Sequence, residues 1–91
     1  IAIADLAFAG NNSLHSVVIP PTVKKIGSEA FSYCGNLSKI VLPDSIAEIE
    51  VGAFRNTKIN SISIPDSVKN IPGSCFADCG SLETVRWFGD N

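Results

Sequence analysis

The sequence predicts an α/β solenoid: a spiral of short strands joined in a parallel ladder, each strand followed by a helical turn. Three observations predict it. The phrase LSKIVLPDSIAEIEVGAF at 37–54 is echoed by LHSVVIPPTVKKIGSEAF at 14–31 and by INSISIPDSVKNIPGSCF at 59–76. The echoes keep a period, since Phe8, Phe31, Phe54 and Phe76 are 23, 23 and 22 residues apart. Each phrase also opens on alternating apolar residues and stops at a proline, as a strand with one buried face does. A repeat of this length marks a stacked array in which each unit is one coil.

The elements follow in order along each coil. Residues 14–36, 37–58 and 59–81 form complete repeats, residues 1–13 the back half of an earlier one, and residues 82–91 a partial or terminal one, all within a single domain, 1–91. The strand carries Val17 and Ile19, Ile40 and Leu42, or Ile62 and Ile64 on its inward side. Pro20, Pro43 and Pro65 end it, because proline has no N–H for the ladder. The pairs Pro21-Thr22, Asp44-Ser45 and Asp66-Ser67 then suit a turn. The chain crosses with apolar residues three apart: Val23 and Ile26, Ile46 and Ile49, Val68 and Ile71. Ala30, Phe31 and Cys34 share one side of the expected helical turn. The second repeat returns through RNTK, one residue shorter than SYCGN or ADCGS. A lone coil buries too little apolar surface to offset the cost of ordering it. Stacked coils cover one another, and this is why the same letters recur.

Composition narrows the function. Ninety-one residues allow one domain, and an apolar fraction of 45% with 18% charged residues fits a globular chain. A net charge of −2 without a basic stripe argues against nucleic acid as a partner. No apolar run approaches the roughly 20 residues that span a bilayer, so this segment is not expected to insert in a membrane. The opening IAIADLAFAG lacks a positively charged start and reads as part of the fold. Ile1 begins in mid-coil with no polar cap, so the chain reads as a segment of a longer protein, and uncapped coils invite self-association.

The phrase L-x-x-V-x-I-P-x-S-V-x-x-I-G-x-x-A-F-x-x-C closely resembles the BspA-type leucine-rich repeat, over essentially the whole chain. Departures are local: Glu50 and Pro72 replace the glycine set by Gly27, Cys75 replaces alanine, and Thr57 and Asn11 replace cysteine. The resemblance implies a right-handed coil with its parallel sheet on the concave side. It implies an extracellular or cell-surface setting, in bacterial or protist proteins where such arrays act in adhesion and bind host proteins. It brings no catalytic residues and no cofactor.

The candidate binding residues are the outward strand positions: Ser16, Val18, Lys39, Val41, Ser61, Ser63, Thr84 and Arg86. They form a small, polar, mildly basic patch suited to a protein or a glycan, with Arg86 beside Trp87 as its best anchor. A solvated sheet face without a ligand is the plainer reading for any one of them, and a structural spacer within a larger surface protein is the alternative for the whole segment. Trp87 takes the inward slot of Ile19, Leu42 and Ile64, and Phe88 stands where the prolines stood; WFGDN reads as a cap or a degenerate last coil. Cys34 and Cys79 share a slot two coils apart, about 10 Å by stacking distance, beyond disulfide reach. Cys75 and Cys79 lack a nearby histidine for zinc, and no metal site is expected. His15 has no partner at catalytic spacing, and no nucleophile elbow, P-loop or zincin motif is present, so no enzyme is expected. Lys24, Lys25 and Lys69 read as a solvated edge. Asn11-Asn12-Ser13 and Asn36-Leu37-Ser38 match the glycosylation pattern, one that arises often by chance.

Overall fold

The computed structural model describes residues 1–87. Its strands are β1 (Ala2–Ile3), β2 (Ser16–Val18), β3 (Lys25–Ile26), β4 (Lys39–Val41), β5 (Glu48–Ile49), β6 (Ser61–Ile64) and β7 (Thr84–Trp87). All pairing is parallel, and every partner lies one period away. Ser16, Val17 and Val18 oppose Lys39, Ile40 and Val41; Ser61 to Ile64 oppose Thr84 to Trp87. A second ladder, β1-β3-β5, runs through the crossing segments, with Ile3, Ile26 and Ile49 in register. The sequence pattern did not disclose it, because two-residue strands are too short to show a period.

The expected helical turn is corrected. No residue among those described is helical, and 27–34 and its equivalents are chained tight turns. Alternate amides point in different directions. Ala30, Ser32 and Cys34 donate to the carbonyls of Gly27, Glu29 and Phe31, three residues back. Glu29, Phe31 and Tyr33 donate instead to Val51, Ala53 and Arg55 of the next coil, at 2.8–2.9 Å. A helix would consume all of these amides locally, so it would forfeit the bonds between coils. The turns also need left-handed residues, and Glu29, Tyr33, Asn56 and Asp78 take positive φ between 54° and 59°. Gly52 takes φ 67° at the place of Glu29 without the Cβ penalty.

Side chains nest along the stack. The rings of Phe8, Phe31, Phe54 and Phe76 form one column, with centroids 5.3, 5.8 and 5.7 Å apart and planes within 14° of parallel. Phe31 and Phe54 are fully buried, together with Ile26, Leu37, Ile46, Ile59 and Val68. Hydroxyls and thiols bridge the coils where amides do not. Ser45 donates to the Val23 carbonyl at 2.6 Å, and Ser67 does the same for Ile46, which explains the serine after each proline-aspartate pair. At Val68 the donor is the indole N–H of Trp87, 2.8 Å away. Trp87 is half-buried against the core, as its slot predicts. Phe88 and the rest of WFGDN lie outside the described residues.

The cysteine slot has the same logic. Cys34 Sγ donates to the Phe8 carbonyl at 3.1 Å and Cys79 Sγ to the Phe54 carbonyl at 3.0 Å. Thr57 in this slot donates instead to the Phe54 carbonyl of its own coil at 3.1 Å, so threonine satisfies its hydroxyl locally and does not repeat the bond between coils. All three cysteines are free thiols.

The strand face is divided. β2 pairs with β4 and β6 with β7, but no pairing joins β4 to β6 among the described residues. Ile19 N–H donates to the Val41 carbonyl at 3.1 Å. Leu42, the equivalent residue one coil on, donates to no acceptor among those described. The break falls at the coil that is one residue short. There Lys58 N–H bonds the Leu37 carbonyl at 2.9 Å, a contact without counterpart in the other coils. The shortened return thus brings β6 beside β4 out of step with the ladder.

Candidate functional site

Alternation within the strands sets the candidate surface. Ile40 and Ile62 turn inward and are buried, so their neighbours Lys39, Val41, Ser61 and Ser63 turn outward. The eight outward residues are all exposed, including Ser16, Thr84 and Arg86; Val18 is 73% and Val41 45% accessible. Lys39 and Arg86 are its charged members, and no acid stands among the eight. Val85, which opposes inward Ile62 in the β6-β7 register, is itself exposed.

The seam between β4 and β6 gives this face relief. An open hollow of about 400 Å³ lies over it, lined by Lys39, Val41, Ser61, Ser63, Thr84 and Arg86. A second hollow of about 650 Å³ sits at the proline ends of the strands, lined by Leu42, Asp44, Ser63, Asp66, Ser67 and Arg86. Ser63 and Arg86 belong to both, so the hollows form one trough along β6. Asp44 and Asp66 were not foreseen as part of it. In sequence they are turn residues, and only the stacking of two coils brings both to the same hollow. Their signal was the repeated P-D-S at a spacing of 22.

The other residues singled out from sequence lie elsewhere. Lys25 is 3.9 Å from Glu50 across the crossing ladder, a half-exposed pair with little energetic weight. His15 is exposed, and its carbonyl accepts from Ser38 N–H. Asn36 donates its amide to the Asn12 carbonyl at 2.9 Å, beside fully buried Leu37. Asn11 accepts from Ser13 N–H at 2.9 Å. Both asparagines thus have a structural use. Burial raises the Cys34 thiol, and it pushes Cys75 up to about 12, opposed by a hydrogen bond from the backbone of Phe54 and helped by neighbouring Cys79. Neither thiol is tuned for nucleophilic work, which needs a lowered pKa. Among the described residues no group of acids, cysteines or histidine could hold a metal ion, and no helix is long and apolar enough to cross a membrane.

On the back of the coil, Arg55 reaches between Tyr33 and Asp78. Its guanidinium carbon is 5.7 Å from the tyrosine ring centre, and its Nε is 3.8 Å from Asp78 Oδ2. Sequence spacing did not suggest this cluster, because its members come from three different coils.

Residues 1–89 match the model of the BspA type leucine-rich repeat region, six copies. Three solved structures are similar. A leucine-rich cell surface protein from Faecalibacterium prausnitzii superposes with a TM-score of 0.91 at 34% identity, covering 97% of this chain and 23% of that one. A leucine-rich repeat protein of T. pallidum gives 0.71 at 31% identity, over 93% and 51% of the two chains. One from Bacteroides ovatus gives 0.64 at 31%, over 94% and 28%. The chain therefore spans about a quarter to a half of the length of these relatives. No curated protein sequence matches.

Proposed function

The chain belongs to the BspA-type leucine-rich repeat family, and on that premise we propose that it is a non-catalytic binding and adhesion module of a cell-surface or secreted protein. The family groups it with bacterial leucine-rich surface proteins and with a repeat class that generally binds proteins. In this reading the parallel strands line the concave side of a right-handed coil. The ligand, a protein or a glycan, lies on Ser16, Val18, Lys39, Val41, Ser61, Ser63, Thr84 and Arg86. The observation that carries the reading is the alternation itself. It commits one side chain in two to the core and leaves an exposed polar row with two cations and two valines. A stacked surface of this kind is rigid, so a ligand would not have to order it on binding.

The test is a titration of purified host matrix proteins and a glycan array against the wild type and the Lys39→Ala, Arg86→Ala double variant. Both side chains are exposed, and the circular dichroism spectrum and urea midpoint of the variant check that its fold is kept. The reading expects a partner whose affinity falls at least tenfold in the variant. A partner bound equally by both proteins would remove the strand face from the account.

A further inference from the structure

The trough along β6 carries charge of opposite sign at its two ends, and this bears on what it can hold. At the start of the strands stand Lys39, Ser61 and Thr84. At the proline ends stand Asp44 and Asp66, with Ser67 beside them. Lys39, Asp44 and Asp66 make no ion pair among the described residues, so both ends offer charge that the chain itself does not neutralise. Arg86 and Ser63 lie between. From Ser61 to Asp66 the chain advances five residues, at most about 16 Å at the strand rise.

Resting on the strand face as the binding surface, we propose that the trough takes an extended peptide segment of a protein partner carrying an acidic side chain and, about four residues away, a basic one. In an extended chain, positions i and i+4 lie on the same side and about 13 Å apart, within the upper bound of about 16 Å that the five residues from Lys39 to Asp44 can span. The acid meets Lys39; the base meets Asp44 and Asp66. Small residues between them pass over Ser63, and Val41 offers an apolar contact at the rim. A uniform polyanion fits poorly, since the aspartates repel one end of it. This sets sulfated glycans and nucleic acid aside in favour of protein.

The test follows the amide NMR spectrum of the 91-residue chain as three peptides are added: Ac-Glu-Ser-Gly-Ser-Lys-NH2, its Glu/Glu counterpart and its Lys/Lys counterpart. The mixed peptide should shift amides of β4, β6 and β7 and bind about threefold to fivefold more tightly than either uniform one, a preference of surface-pair size that fades with added salt. In a variant combining Asp44→Lys with Asp66→Lys, both exposed, the preference should pass to the Glu/Glu peptide. Equal shifts from all three peptides on these strands would overturn the charge reading and leave the strand face standing. Shifts confined to other surfaces would overturn both. No shift from any peptide at millimolar concentration would overturn the proposed occupant.

Discussion

Phe54→Ala tests the packing on which the site is built. The ring is fully buried and stacked between Phe31 at 5.8 Å and Phe76 at 5.7 Å. Phe→Ala in a core costs about 3–5 kcal/mol. Each lost aromatic partner is worth about 0.5–1.5 kcal/mol beyond burial, which places this site near the upper end, about 5 kcal/mol. Phe8 is the internal control, because it is 41% exposed and stacks on one ring. Phe8→Ala should cost about 2 kcal/mol. The assay is urea unfolding followed by circular dichroism. With a slope of about 1.5 kcal/mol per molar, the midpoint should fall by about 3 M for Phe54→Ala and by about 1 M for Phe8→Ala. A chain of this length has a total stability of roughly 5–14 kcal/mol, so Phe54→Ala stands close to unfolding in water. Phe54→Leu and Phe8→Leu keep the comparison measurable. If Phe54→Leu lowers the midpoint no further than Phe8→Leu, the rings do not form a shared interior column and the reasoning fails.

Two further outcomes are expected. Gly27→Ala should destabilise by about 1–3 kcal/mol, because a Cβ there would sit 2.5 Å from Asp5 Oδ1, 2.6 Å from Asp5 N and 2.7 Å from the Ile3 carbonyl. Gly73→Ala, with nothing within 4 Å, should leave the melting temperature nearly unchanged. Cys75 should resist thiol reagents in the folded chain, with half-exposed Cys79 reacting first. Its thiol is raised to about 12 by burial, so the unfolded chain releases this proton at lower pH than the folded one. The contribution of Cys75 is therefore full below the unfolded value, near 8.5. It is lost at up to about 1.4 kcal/mol per pH unit as pH rises from there towards 12. Cys75→Ala, which restores the residue of Ala30 and Ala53, should flatten the alkaline limb of a pH series of urea midpoints.

Much of the architecture was legible because it repeats. The strand, the proline stop and the phenylalanine column each occupy a fixed place in the period, and a side chain that must cover its own copy leaves a signal in every coil. The helical turn was misread for a specific reason. Ala30, Phe31 and Cys34 do lie on one side, as in a helix, but the amides of Phe31 and Tyr33 are claimed by the next coil. A local pattern carries no information about that neighbour. The outward residues were readable from alternation alone. The trough was not, because a missing residue in RNTK says that a return is short and leaves open which strand pair it separates. Asp44 and Asp66 are turn formers in sequence and become a site feature only when two coils place them in one hollow.

Amide hydrogen exchange on the 91-residue chain tests most directly the claim that coils are held by alternate amides and parted at one seam. The amides of Phe31, Tyr33, Phe54 and Asn56, which donate to the following coil, should be the slowest, and Ile19 should be protected while its equivalent Leu42 exchanges far faster. Protection of Leu42 as strong as that of Ile19 would close the seam, and rapid exchange at Phe31 and Phe54 would contradict the stack itself.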